Sequence, residues 1–294
     1  MPHLGRAGAH GGLGLVNAIG SGGYGAAAAI DLPVIVEVKE SETYHGESLT
    51  RGRRLRLDPV IVESIAKVAE AELGVDIRGL ELRVYSTIPL EAGLKGSSAI
   101  INAGLAALME AYGVKLDLLR LARLGVKAAR MAGLTITGAL DDHMAVSGCG
   151  AYATDNIAQR VVAVEPQLKA YVAIIVRGRR SIREINPDMY KHAHPLFRYA
   201  WKLAIEGRWW EAAVVNGAAM LMSMGGTLPN RLRVDADILG FGVSGKGPSL
   251  YIVSPTLKRA IDVASAVREE EGGEIIVSRV VNCPSGETPS YKSP

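Results

Sequence analysis

Aromatic side chains are scarce: they make up 5% of the 294 residues, and only two are Phe. The core must therefore be built from Ala, Val, Leu and Ile, and no interleaved basic and aromatic surface exists for stacking on nucleic acid. An excess of either charge is missing too, with 33 Lys and Arg against 30 Asp and Glu. That balance excludes a nucleic-acid or membrane partner held by bulk electrostatics. The two cysteines, Cys149 and Cys283, form no C-x-x-C. This argues against a cysteine metal site and against a disulfide, so a reducing cytoplasm is the expected compartment. Residues 1–10 carry one Arg and no clean export signal follows. Residues Gly11–Ile30 lack charge over a membrane-span length, but seven of them are Gly, which suits buried strand and turn better than a lipid-facing helix. A G-x-x-x-x-G-K-[ST] string is absent, which excludes a P-loop kinase.

Glycine, in contrast, is abundant and clustered: 34 residues, well above the usual roughly 7%. Around it the chain alternates strand and helix patterns. Asp58-Pro59 opens a helix that Gly74 closes, with Val62, Ile65, Ala69 and Leu73 on one face. Leu80, Leu82 and Val84 alternate with polar residues as in a half-buried strand. Further helices are expected from Ser97 to Gly113, over 117–132, near 188–205 and 208–223, and over 255–270. Strands are expected over 33–39, 171–176, 250–253 and 274–281. A composition break over 155–166 divides the chain into 1–160 and 161–294. The irregular mixture predicts an α+β class rather than a doubly wound sheet.

Three segments can carry chemistry. Pro89-Leu-Glu-Ala-Gly-Leu-Lys-Gly-Ser-Ser-Ala99 joins a strand to a helix. A helix N-terminus offers unpaired N–H groups and partial positive charge, which suits phosphate. Gly93 and Gly96 let the backbone wrap an anion, Lys95 adds charge, and Ser97 or Ser98 can ligate Mg²⁺. The plainer alternative is an ordinary turn with Ser97 as N-cap. Thr137-Gly-Ala-Leu-Asp-Asp-His143 places two acids, Asp141 and Asp142, in an apolar, Gly-bounded stretch. Burying them is costly without a task such as taking or orienting a hydroxyl proton; otherwise Asp141 caps a helix and Asp142 is solvated. His143 is read as a packing or surface residue. Gly240-Phe-Gly-Val-Ser-Gly-Lys-Gly-Pro248 could close over a nucleotide or form a long turn. A G-x-G-x-x-G at Gly20, Gly22 and Gly25 lacks the full helix a dinucleotide fold needs. His192 and His194 have no carboxylate neighbours in sequence and are assigned no metal. Arg51-Gly-Arg-Arg54 and Arg177-Gly-Arg-Arg180 read as solvated loops, with an anion-contacting patch as the alternative for each.

In order and spacing, these segments resemble the GHMP kinases, the family of galactokinase, homoserine kinase and mevalonate kinase. The family's P-x-x-x-G-L-x-S-S-A motif is matched by Pro89…Gly93-Leu94-Lys95-Gly96-Ser97-Ser98-Ala99, and its late glycine motif by Gly242–Pro248. Lys95 inside the loop, the opening Gly5–Gly11 and Thr137–Asp142 followed by Thr154-Asp-Asn156 resemble the archaeal-type shikimate kinase branch. The resemblance implies two α+β domains, the first ribosomal-protein-like with a left-handed crossover, the second ferredoxin-like. It implies ATP and Mg²⁺ as cofactors and phosphoryl transfer to the 3-hydroxyl of shikimate, with room for a homodimer. Pro89, Leu90, Glu91, Ala92, Gly93, Leu94, Lys95, Gly96, Ser97, Ser98 and Ala99, with Gly245, Lys246 and Gly247, would then hold ATP. Asp142 would orient or deprotonate the acceptor hydroxyl, with Asp141 as the alternative. His10 and Asn17 would contact substrate hydroxyls, and Arg6, Arg179 or Arg183 its carboxylate. Two departures stand out: Gly96 replaces the branch's usual Ser, and Met131 stands where many members carry a Mg²⁺-binding Glu. Another kinase of the family, such as homoserine kinase, and an RNA-binding or structural protein are the alternatives.

Overall fold

The charge-free stretch near the start of the chain is a strand and a tight turn in the computed structural model, which describes residues 5–232 and 235–284. β1 (Gly5–Val16) runs antiparallel to β2 (Tyr24–Glu40), a strand long enough to serve three partners. Its first half pairs with β6 (Ala151–Asp155), its second half with β5 (Leu80–Ser86). β3 (Tyr44–Thr50), β4 (Arg53–Arg56) and β7 (Arg160–Glu165) complete a sheet of order β4-β3-β5-β2-β6-β7, with β1 also on β2. Only β3 and β5 are parallel, and α1 (Pro59–Leu73) makes the crossover between them.

Helices α2 (Gly96–Ala111), α3 (Leu118–Met131) and α4 (Leu140–Ser147) follow β5. The expected caps are in place. The Asp58 carboxylate accepts from the Val60 N–H, Asp117 accepts from Arg120, and Gly74 and Gly113 take the left-handed conformation that ends a helix. Of the face expected on α1, Val62, Ile65 and Ala69 are fully buried and Leu73 is half-buried; on α2, Ile101, Leu105 and Leu108 are fully buried, while Tyr112, four residues on, is exposed.

The second sheet has order β11-β8-β10-β9, from β8 (Tyr171–Val176), β9 (Gly240–Val243), β10 (Leu250–Ser254) and β11 (Glu274–Arg279). The change of sheet falls between Glu165 and Tyr171. Period-2 alternation assigns its two faces. Val172, Ile174, Tyr251 and Val253 join the core shared with the first sheet, α5 (His194–Ile205) and α6 (Trp209–Ser223). Ala173, Ile175, Leu250 and Ile252 pack with Val263 and Val267 of α7 (Leu257–Glu271). The glycine segment 240–248, read as a nucleotide-closing loop or a long turn, contributes β9 from its first four residues.

One expectation is overturned. Cys149 and Cys283 form a disulfide, with Cα atoms 5.0 Å apart. They are 134 residues apart in sequence, so spacing gave no sign of the pairing. Backbone bonds after β11 create it: Ile30 bridges Val280, the Gly150 N–H donates to the Val281 carbonyl, and the Cys283 N–H donates to Pro166. The argument for a reducing compartment from unpaired thiols loses its premise. Among the described residues no helix is long and apolar enough to cross a membrane.

Candidate functional site

The loop after β5 rests on backbone strain at chosen points. Of five non-glycine residues with positive φ among the described residues, three lie at one cavity: Glu91 (53°), Lys95 (64°) and Ala139 (47°). Such conformations cost roughly 1–2 kcal/mol each and persist where surrounding contacts enforce them. Lys95 sits at the N-cap position of α2, whose N-terminus has no side-chain cap. The first helical bond runs from the Ala99 N–H to the Lys95 carbonyl (3.0 Å), so the amides of Gly96, Ser97 and Ser98 precede the intrahelical pattern. Ser97 is therefore no ordinary N-cap. An uncapped helix start facing a cavity is a site for an anion.

The Lys95 side chain runs along β1 to Asp142, with Nζ 2.6 Å from Oδ1. Its path explains one glycine of the strand, since a Cβ on Gly12 would lie 2.5 Å from Lys95 Cγ; at Gly14 a Cβ would lie 2.5 Å from the Gly245 backbone nitrogen and 3.2 Å from Lys95 Nζ. The Ser244 hydroxyl accepts from the Gly14 N–H (3.0 Å) and donates to the Gly93 carbonyl (2.9 Å). The Asn17 amide donates to Gly245 O (2.9 Å). The end of β1, the loop after β5 and the loop after β9 are thereby braced together.

Asp141 and Asp142 are adjacent but differ in surroundings. Asp142, on the first turn of α4, is partly exposed and faces Lys95. Asp141 is buried and accepts a bond from Asn156 (2.9 Å), whose carbonyl oxygen also accepts from the Leu140 N–H. Burial, and then the Asp142 charge, push the Asp141 carboxyl up to about 7. His143 is fully buried, with Nδ1 2.7 Å from Asn102 Oδ1, and burial pushes its imidazole down to about 4. It is a packing residue, as expected, and not a surface one.

These two shifts give opposite pH dependences. The ordinary values are 3.8 for an aspartate carboxyl and 6.5 for an imidazole. Between about pH 4 and 7 the unfolded chain ionises Asp141 while the fold keeps its proton, so this residue removes stability as pH rises. Between about pH 6.5 and 4 the unfolded chain protonates His143 while the fold does not, so this one removes stability as pH falls. Over the shared window each acts at roughly 1.4 kcal/mol per pH unit. Relative to the parent protein, Asp141→Asn should tilt stability upward with pH over 4–6.5, and His143→Gln should tilt it downward. Urea melts across that range test this; identical slopes in all three proteins would refute it.

The cavity encloses about 260 Å³. Of the expected residues it collects Pro89 through Ser98, Asn17, Asp141, Asp142, Gly245 and Lys246. Ala99 and Gly247 lie behind the lining. Asn17 lines it with both amide atoms engaged, since its carbonyl accepts from the Gly20 N–H. His10 and the three arginines do not line it. His10 is half-buried in β1, and burial lowers its pKa. Arg6 pairs with Glu37 and Arg183 with Asp58, each at 3.5 Å, and Arg179 is exposed. The reason is register: β1 is extended, so Arg6 and His10 lie well short of its cavity end at Val16.

Sequence reasoning missed the apolar wall of Ile88, Ile100, Leu134 and Ile136, with Thr50, Ser86, Thr135, Ser181 and Ile182. No motif marks these residues. The glycines of β1 were the one available signal. The fold itself does not require glycine at Gly96: its φ is not positive, and an added Cβ would meet only Ile88, at 3.5 Å. Met131 is 58% exposed at the end of α3, outside the cavity.

Comparison with known proteins agrees with this geometry. The model of the GHMP kinases N terminal domain matches residues 60–150, from α1 to the turn after α4. A shikimate kinase of Aeropyrum pernix is 34% identical over 286 residues, covering 95% of this chain and 100% of its own. One from Thermococcus kodakarensis is 33% identical, covering 85% and 92%. The solved Methanococcus jannaschii mevalonate kinase superposes with a TM-score of 0.69 at 14% identity, covering 94% and 98%. Sharing this fold from end to end with the last and its sequence with the first two, the chain belongs to the GHMP kinases.

Proposed function

We propose that this protein is a shikimate kinase, moving the γ-phosphoryl group of ATP to the 3-hydroxyl of shikimate on the way to chorismate and the aromatic amino acids. The observation that carries the reading is the full-length correspondence with the A. pernix shikimate kinase. The cavity supports it: an uncapped helix start for phosphate stands beside a carboxylate held by a lysine.

Phosphoryl transfer passes through a loose transition state, so the protein mainly positions and neutralises. The Gly96, Ser97 and Ser98 amides and the α2 dipole receive the phosphates. Asp142 orients the acceptor hydroxyl and takes its proton, while Lys95 fixes the carboxylate and adds positive charge near the transfer point. Asp141, sealed and bonded to Asn156, holds the turn into α4.

The fit to Mg²⁺ is specific in kind. Among the described residues no group of three or more His, Cys, Asp or Glu could hold a metal alone. A cation arriving with the nucleotide fits, because Mg²⁺ keeps waters and phosphate oxygens as ligands. The Ser97 and Ser98 hydroxyls would complete its shell, and the ion would supply charge neutralisation.

An ATP-consuming kinase of this kind works in the cytoplasm. A cystine does not forbid that compartment, since intracellular proteins of some archaea carry disulfides. With ATP and Mg²⁺, the purified protein should phosphorylate shikimate much faster than homoserine or mevalonate in a coupled assay. Equal or reversed rates would sink the assignment.

A further inference from the structure

Shikimate carries a carboxylate as well as the hydroxyl that is phosphorylated, and an anion entering a partly apolar cavity needs a cation. The arginines expected for this task are outside the cavity, two of them in ion pairs. Among the described residues, two side-chain cations line it, Lys95 and Lys246. Lys95 is committed to Asp142. Lys246 has no ion-pair partner among the described residues. It is half-buried, and burial lowers its pKa, although the charges of Glu91, Asp142 and Glu184 act on it from beyond contact. A cation desolvated without a partner is a cost that a bound anion removes.

Lys246 lines the same cavity as Asp142. Its loop is bound to the end of β1 through Asn17 and Gly245, and the Arg180 guanidinium donates to the Lys246 carbonyl (3.3 Å). Ile19, Ser181 and Ile182 line the cavity with it. Ile88 stands at the start of α2, where the phosphates fit. One acceptor in that cavity can therefore address both groups.

We propose that Lys246 holds the carboxylate of shikimate while the hydroxyl to be phosphorylated lies at Asp142. This rests on the shikimate kinase reading. It also moves Lys246 from the nucleotide, where the family resemblance placed it, to the acceptor.

The test compares Lys246→Met and Lys246→Arg with the parent enzyme, using shikimate and its neutral methyl ester as acceptors. Lys246→Met should raise KM for shikimate by about 10- to 100-fold, the scale of a lost charge-assisted hydrogen bond. Its KM for ATP and its calorimetric ATP affinity should stay near parental, which also shows that the variant is folded. Lys246→Arg should recover most of the loss, and the ester should be used equally poorly by parent and Lys246→Met. A rise in KM for ATP in place of shikimate, or an equal loss on acid and ester, overturns the assignment of Lys246 alone. A parent enzyme inert toward shikimate overturns the functional reading first, and the assignment with it.

Discussion

Asp142→Asn should lower kcat by roughly 10²–10⁴, the range for a lost base or orienting group, with ATP affinity almost intact. Both acids line the cavity, but Asp142 is the partly exposed one and meets Lys95 at 2.6 Å. An Asn keeps an oxygen for Lys95 but loses the charge that draws a hydroxyl proton. Removing one partner of a largely buried ion pair also leaves the other uncompensated, so a modest fall in melting temperature accompanies the loss of rate. Asp141→Asn supplies the contrast. Its carboxyl is buried and raised to about 7, so at pH 7 about half of it is already neutral, and its bond to Asn156 is one an amide can keep. It should retain most activity and bind ATP normally. Single-turnover rates and calorimetric ATP titration of both variants decide the matter. An inactive Asp141→Asn beside an active Asp142→Asn would reverse the two roles.

That pair shows where sequence reading succeeds and stops. Two acids in an apolar, glycine-bounded stretch are legible as a site because burying them without a task is costly. Which one works is not legible, because it depends on Asn156 reaching back from β6 and on Lys95 crossing from another loop. The ends of α1, α2 and α3 were readable from local signals, since Asp58, Asp117, Gly74 and Gly113 act within one turn of themselves, whereas α4 was missed and the helix expected from 188 begins at His194, after a 3-10 helix over Pro187–Ala193. The disulfide and the apolar cavity wall were not. Each is assembled from segments brought together only by strand pairing, and neither leaves a periodicity or motif behind. The arginine candidates failed for the same reason: charge is visible in a sequence, but its partners Glu37 and Asp58 are set by tertiary contacts.

The phosphate loop gives the sharpest separation between glycines that look alike. Gly93 has φ +79°, and a Cβ there would lie 2.3 Å from the Ser244 carbonyl oxygen, a backbone atom held in the facing loop. Gly96 has an ordinary φ, and its Cβ would sit 3.5 Å from Ile88. Gly93→Ala should therefore destabilise the ligand-free protein by roughly 2–4 kcal/mol, combining a left-handed alanine with a forced backbone shift. It should also weaken ATP binding at least about tenfold, because the Ser244 bridge that fixes the loop against β1 is pushed apart. Gly96→Ser, which installs the residue usual in the related branch, should change stability by no more than about 1 kcal/mol, with a gain favoured, since glycine is costly at a helical position. Its ATP affinity should be unchanged or better, because the new hydroxyl stands beside Ser97 and Ser98 at the helix start. Thermal melts of the apo variants beside ATP titrations separate the two sites. If Gly96→Ser loses ATP as severely as Gly93→Ala, the phosphates rest on the Gly96 backbone itself. The requirement for glycine there is then set by the ligand and not by the fold.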